Sequence, residues 1–220
     1  SPLYADLLDA VAADVAAGGV CAPLLAPLAA APFGDAVILR FLAAVHLLVL
    51  EGGAPSLAAH YPSVGGTPGP DAGSCFVDEV GRHLDRVAGQ LAVGVQTNEV
   101  GRSVPLLTGY LELARAGLPL RILEVGASAG LNLHFDRYRY EADGVGFGPV
   151  DSPLRFVDPW LGRAPDLRRT VEVASRAGCD LDPIDPGTEA GRLRLRSYLW
   201  PDQPARRARL DAALAVAAAE

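Results

Sequence analysis

The residues best placed to do chemistry are Glu124, Gly126, Ala127, Ser128, Gly130 and Asn132, gathered in one short run of the chain. An apolar β-type stretch over 120–125 leads into a turn of very small residues, and a helical pattern follows from about Ala129 to Phe135. Backbone N–H groups left unpaired at such a strand-to-helix junction favour an anionic or strongly polar ligand, so the turn suits a phosphate, a carboxylate or a nucleoside. The five residues from Gly126 to Gly130 also spell Gly-x-Ser-x-Gly, a turn that can raise a serine hydroxyl on strained backbone as a nucleophile. A purely structural reading is also open: small residues let a helix pack closely on a strand.

A second polar group, Gln96, Thr97, Asn98, Glu99 and Arg102, lies between apolar segments. A capping box at Thr97 or Asn98 accounts for two of its members. In a helix, Asn98, Glu99 and Arg102 would share one face, and that face suits a carboxylate or another polar substrate. Asp180, Asp182 and Asp185 miss the spacing of a calcium loop and are stiffened by Pro183 and Pro186, so no metal site is expected. His46, His60 and His83 have no ligand spacing and read as satisfied histidines on apolar helices.

Set against known turns, the stretch departs from a dinucleotide fingerprint, whose glycine places hold Gly126, Ser128 and Leu131 here. It is similar to the acidic-x-Gly-x-Gly-x-Gly loop of class I S-adenosylmethionine-dependent methyltransferases, with Glu124, Gly126 and Gly130 in place and Ser128 in the middle glycine's position. The run 178–183, Gly-Cys-Asp-Leu-Asp-Pro, resembles the end of strand two in those enzymes, where an acidic group holds the ribose hydroxyls; Asp180 takes that place, followed by Asp182. The separation 180 − 126 = 54 residues exceeds the roughly 20 of a plain unit, so an inserted hairpin between Tyr138 and Thr170 is expected. As a hydrolase elbow the five-residue match is complete, yet the only histidine beyond Ser128 is His134, six residues on and in the same helix.

The chain of 220 residues is half hydrophobic and carries a formal net charge of −7, which supports a large core and argues against nucleic acid as a partner. Its three cysteines, Cys21, Cys75 and Cys179, form no Cys-x-x-Cys pair and suggest a reducing cytoplasmic setting. The apolar run 36–50 is shorter than a spanning helix needs and contains Arg40 and His46, so it reads as a buried core helix, not a membrane anchor.

Around these groups the periodicity predicts helices over 2–17, 22–31, 36–50 and 74–91, the first capped by Ser1-Pro2 and the third by Asp35. Another is predicted over 98–116, bent at Pro105. From Pro119 the texture changes to strands at 120–125, 138–141, 145–147, 154–157 and from 171, with a turn signal at Asp143-Gly144, and two helices close the chain over 189–200 and 204–219. The division is a helical region over 1–116 and an α/β region over 117–220.

The combination of 95–102 (Val-Gln-Thr-Asn-Glu-Val-Gly-Arg), the turn with Asp136-Arg137-Tyr138, Asp180-Leu181-Asp182-Pro183 and Trp200-Pro201-Asp202-Gln203 resembles an uncharacterised bacterial family, number twenty-three thirty-two of the domain-of-unknown-function series. That resemblance covers nearly the whole chain. It implies an α/β fold with a helical N-terminal region followed by a partial Rossmann-like, methyltransferase-like sheet with the inserted hairpin, and a chain that lacks the later strands of the sheet. Under it, S-adenosylmethionine is the expected cofactor and a small molecule the expected substrate. Glu124, Gly126, Ala127, Ser128, Gly130, Asn132, Asp180 and Asp182 would hold the cofactor, and Gln96, Asn98, Glu99 and Arg102 are the catalytic candidates. The alternatives are an α/β serine hydrolase using Ser128 and a non-catalytic interaction module of the same fold.

Overall fold

The computed structural model describes residues 1–219 as a mixed α/β protein with a helical N-terminal region. Two compact units emerge from its packing: Ser1–Thr97 with Leu193–Arg207, and Asn98–Arg192 with the chain from Ala208 onward. Composition changes at residue 116, but packing changes at Thr97, because the helix that follows Asn98 packs against residues 131–137, where Tyr110 meets Phe135 at 4.5 Å.

In the first unit, α1 (Pro2–Ala16) begins as its sequence dictates. Ser1 Oγ accepts the Tyr4 N–H at 3.1 Å, Pro2 occupies the first turn, and Leu3, Tyr4, Leu7 and Val11 form the buried stripe. The single helix expected over 22–31 is instead α2 (Ala22–Leu25) and a 3₁₀ turn, Ala26–Leu28; Pro23 and Pro27 withhold the N–H groups a longer ladder would need. Asp35 does not cap α3 (Val37–Leu50). It lies in a 3₁₀ turn, and the helix is entered through Ala36 in left-handed backbone, φ 46°. Every residue from Phe41 to Val49 is buried, so this apolar stretch is a core helix of the first unit. After α4 (Pro55–Ala58), the predicted helix over 74–91 appears as α5 (Ala72–Arg82) and α6 (Leu84–Leu91), divided at His83, whose φ of −126° and ψ of 30° are non-helical. Phe41 meets Phe76 edge-on at 5.6 Å within this core.

The second unit opens with a 3₁₀ turn, Val100–Arg102, leading into α7 (Ser103–Leu113). Neither Thr97 nor Asn98 caps it: the Glu99 carboxylate accepts the Gly101 N–H at 3.1 Å. Pro105 causes no bend, because it falls in the first turn of α7, where its missing N–H would have had no helical acceptor.

Strand β1 (Leu120–Val125) pairs in parallel with β5 (Val173–Cys179), from Arg121 opposite Ser175 to Val125 opposite Cys179. The chain between these two strands forms a separate three-stranded sheet of β2 (Arg139–Ala142), β3 (Val145–Phe147) and β4 (Arg155–Val157), ordered β3-β2-β4. The predicted hairpin is its β2–β3 half, turned by Asp143 and Gly144 at φ 51° and 71°, the two positive values a two-residue turn of this kind requires. Strand β4 adds parallel to β2. Tyr140 at its centre is fully buried and stacks on Phe156 at 5.2 Å. The chain ends with α8 (Glu189–Ser197) and α9 (Pro204–Ala217).

Strand β1 is less enclosed than its apolar sequence predicts. Ile122 is 6 % exposed, but Leu123 is 79 % and Val125 87 % exposed, so among the described residues only one face of the β1–β5 pair is covered. What fastens β5 to the segment after β1 is an ion pair that the periodicity could not reveal. Arg176 on β5 forks onto Asp136, with both nitrogens 2.8 Å from the two carboxylate oxygens, and also donates to the Leu133 carbonyl at 2.7 Å. A two-point pair in partial burial outweighs an exposed one. Asp136→Ala is therefore expected to cost about 1–2 kcal/mol in urea unfolding, whereas Glu112→Ala, which removes an exposed partner of Arg115, should cost less than about 0.5 kcal/mol. Equal costs would contradict this assignment.

Candidate functional site

At the carboxyl end of β1 the chain turns through Gly126, Ser128 and Gly130, with φ of 72°, 55° and 71°. Left-handed backbone is easy for the two glycines and strained for Ser128, so the turn is held from outside. Three residues, Cys179, Asp180 and Ile184, hold it. The Cys179 carbonyl accepts both the Gly126 and the Ala127 N–H at 2.8 and 3.0 Å, and the Ser128 carbonyl accepts the Ile184 N–H at 3.2 Å. Asp180, directly after β5, accepts the Ser128 N–H on one carboxylate oxygen at 2.8 Å and the Asp182 N–H on the other at 3.0 Å. Asp180 thus stands beside the turn, with its carboxylate turned to the Ser128 and Asp182 backbone.

Close approach makes this possible. A Cβ on Gly178 would lie 2.7 Å from the Ala127 methyl and 3.2 Å from Leu133, so glycine in β5 and alanine in the turn are a packing requirement. A Cβ on Gly126 would meet nothing within 4 Å. The turn is packed from the β5 side and open at its first glycine.

Three buried polar oxygens at the turn have no hydrogen-bond partner: Glu124 Oε2, Ser128 Oγ and Asn132 Oδ1. The Asn132 amide bonds the Glu124 carboxylate, and Arg102 adds its charge nearby. Burial nevertheless prevails and holds the Glu124 carboxyl above the usual carboxylate range. Tyr110 of α7 faces the same carboxylate, and its phenol is pushed up by burial and by that charge.

The polar group ahead of α7 reaches the turn only in part. Asn98, in left-handed backbone at φ 31°, accepts the Leu131 N–H on Oδ1 at 3.2 Å, and Arg102 lies within Coulomb range of Glu124. The shared helix face expected of Asn98, Glu99 and Arg102 does not form, because the first two precede the helix and Glu99 serves as its cap. Gln96 is buried at the end of the first unit. Asp182 is exposed and contributes a backbone donor to Asp180.

The helix expected from Ala129 is a 3₁₀ segment, Leu131–Arg137, irregular at His134. Two of the carbonyls an α-helix would use are taken by side chains: Tyr138 donates its hydroxyl to Leu131 and Arg176 donates to Leu133. Ser128 Oγ is enclosed and bonded to no imidazole. An elbow serine, by contrast, must present its hydroxyl to substrate and to a base.

The family model described as "Uncharacterized protein conserved in bacteria (DUF2332)" matches residues 1–220. The chain belongs to that family. No curated protein and no solved structure matches it. For this DUF2332 chain, chemistry must therefore be argued from the turn itself. Sequence reasoning missed Tyr110 and Arg176 there. Each stands at a spacing that carries no motif, and only the fold brings Tyr110 to Glu124 and Arg176 to the segment after the turn.

Proposed function

We propose that this chain binds S-adenosylmethionine at the β1 turn and passes its methyl group to a small molecule, as a Rossmann-like enzyme of methyltransferase type. The observation that carries the reading is the set of three partnerless buried oxygens, Glu124 Oε2, Ser128 Oγ and Asn132 Oδ1, around a left-handed turn that is open at Gly126. Buried polar atoms without partners are costly, and a donor-rich ligand that displaces the groups enclosing them would satisfy them. The parallel β1–β5 pair supports it further, because ligands of open α/β sheets sit outside the carboxyl ends of adjacent parallel strands.

Within this reading the Gly126–Gly130 backbone cradles the ligand, with the Ala127 methyl setting its depth against β5. Asp180 faces the ribose hydroxyls, while the Ser128 and Asp182 N–H bonds that it accepts keep the loop shaped for them. Glu124, steadied by Asn132, receives an ammonium group, and Arg102 receives a carboxylate. The cofactor supplies an already activated methyl group, so the chain's contribution is alignment and exclusion of water rather than acid–base chemistry. The enclosed Ser128 hydroxyl gives less support to a serine hydrolase, for which a fluorophosphonate probe would have to label Ser128.

Calorimetric titration with S-adenosylmethionine tests the proposal. Saturable binding is expected, abolished by Gly126→Arg, which fills the open space, and weakened about tenfold or more by Asp180→Ala, which removes a charged acceptor. Binding that ignores both substitutions would sink it, and no binding at all would favour an interaction module that keeps the fold.

A further inference from the structure

We infer that the first unit carries a second ligand site, an apolar cavity that takes an uncharged alkyl chain. A cavity of about 1110 Å³ lies away from the β1 turn, among α1, the 22–36 segment, the start of α3 and Trp200. Its size is at the upper end of small-molecule pockets.

The sequence shows how the hollow arises. Ala5 on α1 and Ala22, Ala26 and Ala29 on the proline-broken segment place single methyls where larger side chains would fill the space. Leu8, Leu25 and Leu42 back it against the core. At its rim Phe33 is fully exposed and Ile38 is 47 % exposed, an arrangement that leaves apolar area to water unless something covers it.

The lining decides the occupant. No Asp, Glu, Arg or His side chain contributes, in a chain that is one-fifth charged, so no side chain inside offers a charged headgroup a counter-ion. The polar side chains there are Ser1, Tyr4 and Trp200, and the Ser1 hydroxyl is committed, donating to Asp202 at 2.7 Å and accepting the Tyr4 N–H. A peptide or a partner's helix terminus would bring backbone donors and acceptors that this lining cannot satisfy. An alkyl chain brings none. The wall from Tyr4 to Val15 along α1 runs about 16 Å, room for a medium-length chain laid along it.

The test uses the full chain with the neutral fluorophore N-phenyl-1-naphthylamine, displaced by 1-octanol, 1-decanol and 1-dodecanol. One saturable site per chain is expected, with displacement tightening about fourfold per added methylene, the signature of buried hydrocarbon. Filling the hollow with Ala26→Phe and Ala29→Phe together, both at exposed positions, should weaken the probe at least tenfold while the circular dichroism stays unchanged. The inference is overturned by non-saturable fluorescence, by displacement independent of chain length, or by a filled variant that binds as before. It is equally overturned if sedimentation shows self-association that excludes the probe, since the groove would then belong to a second copy.

Discussion

Gly148→Ala is expected to destabilise the second unit by about 3 kcal/mol or more, the sum of a left-handed backbone penalty and a clash in a packed interior. Gly148 has φ 81°, and a Cβ there would fall 1.9 Å from the Tyr138 carbonyl oxygen, with backbone rather than a flexible side chain in the way. The damage would not stay local. The Gly148 carbonyl accepts from Arg139 at 2.9 Å, and Tyr138, the residue that must shift, donates its hydroxyl to Leu131 directly behind the β1 turn. Urea unfolding followed through tyrosine and tryptophan fluorescence would measure the loss. A change below about 0.5 kcal/mol, the range of an ordinary surface substitution, would mean that the β2–β3 hairpin does not pack as described.

Acid should weaken the first unit through His46. Its imidazole is 1 % exposed and satisfied at both nitrogens. The Ser197 carbonyl, 3.0 Å from Nδ1, can only accept, so Nδ1 carries the proton and Nε2 accepts the Ser63 hydroxyl at 2.8 Å. Burial lowers the pKa from 6.5 to about 4, helped by the Arg207 charge and opposed by the hydrogen bonds to the Ser197 and Leu199 backbone. The depressed value means that the unfolded chain takes up a proton that the folded chain refuses. The stabilising contribution is complete above about pH 6.5, falls as pH drops towards 4, and levels off below that, a loss of about 3 kcal/mol over the window. His46→Leu should lack this slope, so the difference in stability between the two proteins should narrow steadily from pH 7 to pH 4. A difference that stays constant across the window would contradict a buried neutral imidazole.

Local chemistry was readable from the residues. Ser1-Pro2 starts α1, Asp143-Gly144 turns a hairpin, β2–β3, within the stretch 138–170 where one was expected, and the apolar run from Leu120 to Val125 is β1. Features set by distant partners were not readable. The 3₁₀ geometry after the turn depends on Tyr138 and Arg176 competing for its carbonyls, and the start of α7 depends on Glu99 because Asn98 is bonded to Leu131. His83 breaks a helix whose apolar periodicity runs through it unbroken. The open face of β1 was hidden for a related reason, since composition reports which residues prefer burial and not which neighbours are there to cover them.

The turn itself shows how a packing explanation and a binding explanation can share residues. Gly178 and Ala127 are small because the turn and β5 approach so closely, and that needs no ligand. The same argument, with the positive φ of Gly126, leaves the partnerless oxygens of Glu124, Ser128 and Asn132 without a role. The proposed ligand would give them one.

Ultraviolet cross-linking of methyl-tritiated S-adenosylmethionine to the chain, followed by cleavage after arginine, tests that account most directly. Arg121 and Arg137 bracket the turn, so the account predicts label in the peptide 122–137, lost when unlabelled S-adenosylhomocysteine competes and absent in Gly126→Arg. Label distributed over other peptides, or insensitive to the competitor, would contradict it.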